Sequence, residues 1–177
     1  HQNLKAMSAA LQEALHAEQP TTATPQQENA LVETPFVHLH NHSQFSVLQA
    51  TSRINQLVEA TAKYNMPAVA LTDHANLMGA FHFVKEIKKY NASLEENQHP
   101  ITPILGCEFY VCEDHQDRSR REDGYQIVFL AKNKKGYNNL SKLSSLAYTK
   151  GFYYVPRIDK KLVEQYKSDL IVLTWNL

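Results

Sequence analysis

The sequence predicts an α/β fold built on a largely parallel sheet. Three observations carry that expectation. Short apolar runs of β-forming residues alternate with amphipathic stretches of helical period along most of the chain. The 177 residues suffice for one domain with a short appendage. Residues capable of chemistry fall where successive β runs stop, the face on which parallel α/β folds gather their functional groups. An incomplete barrel and an open sheet both fit the alternation.

In chain order, residues 4–17 place Leu4, Met7, Leu11 and Leu15 at helical spacing, giving an amphipathic extension over residues 1–17. Residues 18–35, rich in Pro, Thr and Gln without apolar period, have linker composition. The domain is expected over residues 36–177. It opens with FVHLHNH, read as a strand that puts His38, His40 and His42 on one face and Val37 and Leu39 on the other. A helix over 51–65 takes its cap from Thr51-Ser52, buries Ile54, Leu57 and Val58, and closes at Asn65. A β run over 68–71 ends in Thr72-Asp73-His74, and a helix over 77–91 turns Phe81, Val84 and Ile87 inward. A third run, 101–105, is interrupted by Pro103 and followed by Gly106-Cys107-Glu108, with further β-rich residues at 109–112. Residues 113–124 read as a mobile loop of mixed charge, and 125–131 as a strand too continuously apolar for a surface. A turn over 132–136 leads to a helix over 137–148 with Leu140, Leu143 and Leu146. An aromatic-basic loop over 150–158, a short helix capped by Asp159 and a strand over 169–174 complete the chain.

Lys+Arg 18 and Asp+Glu 18 cancel, so net charge supplies no argument for nucleic-acid binding. Locally, Lys132, Lys134, Lys135, Lys150 and Arg157 could meet a phosphate backbone beside Tyr137, Phe152, Tyr153 and Tyr154, with loop charge and packing as the plainer reading. The two cysteines, Cys107 and Cys112, read as reduced, semi-buried thiols of a cytoplasmic protein. No apolar run reaches membrane-spanning length and no signal-peptide pattern opens the chain, so no membrane partner is expected. Beginning at His1 and ending at Leu177, the sequence reads as a fragment.

Imidazole is the commonest protein metal ligand, and neighbours two apart on a strand can grip one ion. His40 and His42 end the first run, Asp73 and His74 follow the second, and Glu108 follows the third. Singly, each has a plainer reading as a strand-end or turn residue. Together at one rim, a carboxylate among imidazoles suits a hydrolytic divalent-metal site.

The segments FVHLHNHSQFSVL, MPAVALTDHANLMGAFHF, PILGCEFYV and QIVFLAKNKKGYNNLSKLSSLAYTKGFYYVPRID, in that order, resemble the PHP (polymerase and histidinol phosphatase) domain. The branch they most resemble lies at the N-terminus of the alpha subunit of bacterial DNA polymerase III. LAKNKKGYNNL followed by GFYYVPRID is similar to that branch rather than to free-standing PHP phosphomonoesterases. The resemblance implies a distorted (β/α)7 barrel, truncated here on its C-terminal side, with metal ligands at His40, His42, His74 and Glu108. It implies Asp73 as a group orienting the site, and it leaves His38 outside the ligand set.

The chain departs from the branch's pattern at three ligand positions, where Gln49, Gln126 and Asn176 stand for an expected Asp, His and Cys. Amides bind divalent ions weakly, so a zinc, manganese or magnesium centre is expected to be weakened. By resemblance the parent chain is a DNA-directed DNA polymerase of DNA replication. Its expected partners are DNA, a proofreading exonuclease subunit and other replicase subunits, and this module serves a structural or docking role. The alternatives are an active metal-dependent 3′-5′ exonuclease or phosphodiesterase and, against the KNKKGY and GFYYVPRID segments, a free-standing PHP phosphomonoesterase.

Overall fold

The computed structural model describes residues 35–96 and 98–174. The extension over 1–17, the linker apart from Pro35, and Trp175 and Asn176 lie outside the described residues. Within them, helices α1 (Ile54–Lys63), α2 (Ala80–Ala92), α3 (Lys134–Thr149) and α4 (Lys160–Tyr166) accompany strands β1 (Ala68–Leu71), β2 (Thr102–Cys112), β3 (Tyr125–Ala131), β4 (Arg157–Asp159) and β5 (Leu170–Leu173). The class is mixed α/β, but the sheet is less parallel than the alternation predicted. β2 pairs parallel with β1 and β4, whereas β3 runs antiparallel to both β2 and β5.

β2 is the longest strand and the one the others assemble on. It corrects the expectation of two runs parted at Gly106-Cys107-Glu108, because all 11 residues form one strand. Pro103 is tolerated near its start for a specific reason. The amide of Thr102 donates toward β1, to Pro67 O, so position 103 faces the side where β3 has not yet begun to pair. Gly106 marks a close crossing: a Cβ there would lie 2.6 Å from Phe129 O and 2.8 Å from Thr72 Cγ2.

The two faces of β2 differ in character because alternate side chains point oppositely. Cys107, Phe109 and Val111 face the helix side, packed in one cluster with Leu140 and Leu143 of α3 and Leu162 of α4. Val69 and Leu71 of β1 pack with Val58 of α1 and Phe83 and Ile87 of α2. On the opposite face Ala70, Val128 and Leu130 form a smaller cluster, and Glu108 and Tyr110 share that side of β2.

Helix ends follow local rules with some shifts. α1 begins at Ile54 rather than after Thr51-Ser52, and the Gln56 side chain accepts from the Arg53 amide at 3.3 Å. It closes as expected at Asn65, in the left-handed region (φ 52), where the Asn65 and Met66 amides return to Ala62 O and Thr61 O. α2 starts later than predicted, and Phe81 is 74% exposed; Phe83 takes the inward place. α3 starts earlier, because Asn133 Oδ1 accepts from the amides of Lys135 and Gly136 and so acts as its cap. Asp159 caps α4 through Leu162 N at 2.9 Å, as its position before the helix predicted.

The charged loop between β2 and β3 is pinned by Arg157, which corrects the mobile reading of the loop and, for that arginine, the suggested phosphate contact. Arg157 is 1% exposed. Its guanidinium donates to the carbonyls of Glu122 (2.8 Å), Asp117 (2.8 Å), His115 (3.3 Å) and Gly151 (3.2 Å). The planar five-donor fork suits this task, and no phosphate can reach it. Replacing Arg157 by Met strands those carbonyls, and we expect a loss of about 3 kcal/mol in urea unfolding. Trypsin cleavage after Arg118, Arg120 and Arg121 should accelerate with it; an unchanged cleavage rate counts against the pinning.

Candidate metal centre

The segment carrying the first histidines is irregular rather than a strand. It still runs beside β1: Ala70 N donates to His38 O at 3.0 Å and Thr72 N to Asn41 O at 2.9 Å. The donors step by two residues and the acceptors by three, so one extra residue is accommodated in the manner of a bulge. Asn41 holds the offset, donating through Nδ2 to Ala70 O and through its amide to Thr72 Oγ1, each at 2.9 Å. Strict alternation is broken there, yet His40 and His42 still converge, with their Nε2 atoms 3.2 Å apart. His38 packs edge-on against Phe36 and stands outside the cluster.

Glu108, 1% exposed, is the point of convergence. His40 Nε2 lies 2.6 Å and His42 Nε2 3.3 Å from its Oε2, while His74 Nδ1 lies 3.5 Å from its Oε1. Glu108 sits in the middle of β2 rather than at a strand end. It meets His74 because the parallel ladder resumes as a single bridge between those residues beyond β1. Glu108 N donates to Asp73 O at 3.1 Å and Ala75 N to Glu108 O at 2.7 Å. Ala75 adopts φ 53 with no exposure, a strained turn held also by Ser144 Oγ, which donates to Ala75 O at 2.7 Å.

Asp73 is buried, and its carboxylate is hydrogen-bonded by serines. Its carboxylate accepts from Ser43 N (2.6 Å), Ser43 Oγ (2.7 Å) and Ser46 Oγ (2.7 Å), and Ser46 Oγ in turn accepts from His74 N (3.0 Å). One carboxylate thus ties the segment just after His42 to the backbone of His74. Ser43 and Ser46 were not singled out from the sequence, although a serine beside a ligand is the type of residue that such bracing uses.

Electrostatically, His42 is raised from its ordinary range, chiefly by its hydrogen bond to Glu108, against burial. Burial pushes the Glu108 carboxyl up, but the imidazoles of His42 and His74 beside it outweigh burial and hold it far below the usual carboxylate range. Among the described residues, both ring nitrogens of His74, and Glu108 Oε1, are buried and make no close hydrogen bond, Nδ1 and Oε1 facing each other at 3.5 Å. Buried polar atoms seldom remain so. A divalent ion fits the donor set, since imidazoles with one carboxylate suit zinc or manganese. The 3.2 Å between the two Nε2 atoms is close to the ~3.3 Å between neighbouring ligands of a tetrahedral ion with bonds of about 2.0–2.1 Å. His40, His42 and Glu108 form one of the ligand groups found among the described residues.

Of the substituted positions, the two among the described residues, Gln49 and Gln126, make no hydrogen bond to the ligand-type side chains. Gln49 is exposed in the turn after Ser46. Gln126, opposite Tyr110 on β3, donates through Nε2 to the Tyr110 hydroxyl at 3.1 Å. Asn176 lies outside the described residues. Tyr110 itself lies against His74, ring centroids 4.8 Å apart, and was missed by motif reading. Its signal was its position two residues after Glu108, on the same strand face. A second ligand-type group, Asp114, His115 and Asp159, also escaped notice. There Asp159 is already engaged, by Leu162 N on Oδ1 and by His115 Nδ1 at 2.6 Å on Oδ2, so its role is to cap α4 and anchor the loop.

The PHP domain family pattern matches residues 38–177. The DNA polymerase III subunit alpha of Chlamydia muridarum is 44% identical over 143 residues, covering 78% of this chain and 11% of that protein. The namesake from Borreliella burgdorferi is 42% identical over 140 residues (77% and 11%), and that from Aquifex aeolicus 39% over 148 (78% and 12%). The chain thus spans about a ninth of the length of these relatives.

Two outcomes follow from the geometry. Asp73→Asn places an amide donor against donors, and we expect a loss of about 2 kcal/mol with weaker metal uptake, read by urea unfolding and zinc titration. In chelator, protonated His42 contributes stability fully below its unfolded pKa of about 6.5, and that contribution is lost as pH rises through the raised folded value. Melting temperature should therefore fall on the alkaline side, and His42→Asn should flatten that limb; superimposable profiles refute the ion pair.

Proposed function

This chain belongs to the PHP domain family, and from that premise we propose that it is the N-terminal PHP module of a DNA polymerase III alpha-type chain. Its sheet then continues into a distorted (β/α)7 barrel of which these residues form the N-terminal side. The parent chain acts in DNA replication as a DNA-directed DNA polymerase in the bacterial cytoplasm, contacting DNA elsewhere along its length. Here the module's task is to support the polymerase and to dock a proofreading exonuclease subunit among the other replicase subunits.

The observation that carries the reading of the site is the convergence of three imidazoles on the buried carboxylate of Glu108. His40, His42, His74 and Glu108 would hold the ion, for which three imidazoles and one carboxylate suit zinc or manganese better than magnesium. Such an ion supplies Lewis acidity toward a phosphoryl oxygen and a water of lowered pKa. The chain's own contribution is to hold the ligands: Glu108 from the middle of β2, His74 from the bridge beyond β1, and His42 through Ser43 and Asp73. Among the described residues, Gln126 is committed to Tyr110 and Gln49 lies in an exposed turn, which supports a reduced centre.

A second reading, a working 3′-5′ exonuclease, is favoured by the orphaned nitrogens of His74, which are suited to an intact ligand set. Metal analysis of tag-free protein and of the longer parent chain divides the two. We expect no more than one equivalent of metal, lost in His42→Ala, and no metal-stimulated release of nucleotides from a primed single strand. Two or three tightly held ions, with nucleotide release abolished by His42→Ala, would establish the exonuclease instead.

A further inference from the structure

We infer that the Tyr110 hydroxyl, held in place by Gln126, is an anion contact of this centre, donating to a phosphoryl oxygen of whatever phosphate compound occupies it. This rests on the reading of the centre as a phosphate-handling metal site and adds the residue that would touch the substrate's oxygen rather than the ion.

Three observations support it. Tyr110 lies two residues beyond Glu108 on the same face of β2, and its ring meets the edge of His74 at 4.8 Å, so it borders the ligand cluster. Gln126 faces it across the antiparallel β2–β3 register and donates to the hydroxyl oxygen at 3.1 Å. That bond uses an acceptor lone pair and leaves the hydroxyl proton without an acceptor among the described residues. On this half-buried residue, a hydroxyl whose oxygen is anchored keeps its proton available for an anion at the site. The arrangement also assigns Gln126 a purpose. An imidazole or amide at 126 stands on the same face as Glu108, and here the amide orients a neighbour.

The test uses the full chain with inorganic phosphate as probe, measured by calorimetry on zinc-loaded and zinc-free protein, with metal content and melting temperature recorded alongside. Tyr110→Phe removes only the hydroxyl. We expect it to keep the wild-type metal content and melting temperature while phosphate binding weakens about 10-fold or more. Gln126→Ala should weaken it less and in the same direction, because Tyr110 remains but is no longer oriented. A phosphate affinity unchanged in Tyr110→Phe overturns the assignment, as does wild-type protein that binds no phosphate in either state. If the protein takes up no metal, the metal reading fails separately. The Tyr110 assignment is then decided on the zinc-free measurements, surviving only if Tyr110→Phe binds phosphate more weakly than wild type.

Discussion

The carboxylate of Asp73 is the interaction on which the remainder of the site depends. It accepts three hydrogen bonds from two serines on the segment that follows His42, and one of those serines accepts from the amide of His74. A buried carboxylate is costly unless each oxygen is satisfied, and here both are. The same residue's carbonyl receives the amide of Glu108. Three ligand-bearing segments, spread over more than sixty residues of sequence, therefore meet at one side chain and its backbone. The irregular chain around His40 is held by hydrogen bonds where a regular ladder would have held it by pairing.

β2 makes that meeting possible through a change of neighbours. Its first half pairs with β1 and its last residues with β4, while β3 lies along its other side. Between the two partners only the bridge to His74 occupies that side. Glu108 lies in this interval, where the backbone of β2 is free to receive the turn at Asp73–Ala75. A carboxylate in mid-strand is thereby as accessible to the histidines as one on a terminal loop, with the added rigidity of a strand paired on its far side.

Much of this was legible in the sequence, and the failures have local causes. β1, β3 and the caps at Asn65 and Asp159 follow from apolar runs and turn residues whose preferences agree with the fold. His40, His42 and His74 each approach Glu108 to within 3.5 Å, although the strand ends that predicted the meeting are not where His40, His42 and Glu108 sit. Pro103 and Gly106 misled because proline and glycine usually interrupt strands, and here the first faces an unpaired edge and the second a close crossing. Phe81 was placed inward by composition, but the helix phase set by Phe83 and Ile87 puts it in solvent. For Arg157 the sequence left phosphate contact and packing both open, because nothing in its neighbours announces four carbonyls converging from two loops. Ser43, Ser46 and Tyr110 carry no motif of their own, and their roles exist only once the chain is folded.

The hydrogen bond from Ser144 to the carbonyl of Ala75 joins residues 69 apart. It bears on the order in which the protein is made. His40, His42, His74 and Glu108 all precede α3 in the sequence, so these four leave the ribosome before that helix does. The strained turn beside His74 gains its brace only when residue 144 has emerged and α3 has docked. During synthesis the donor set is thus complete some time before it is rigid, and the nascent chain passes through a stage in which its imidazoles are present but not yet locked around Glu108.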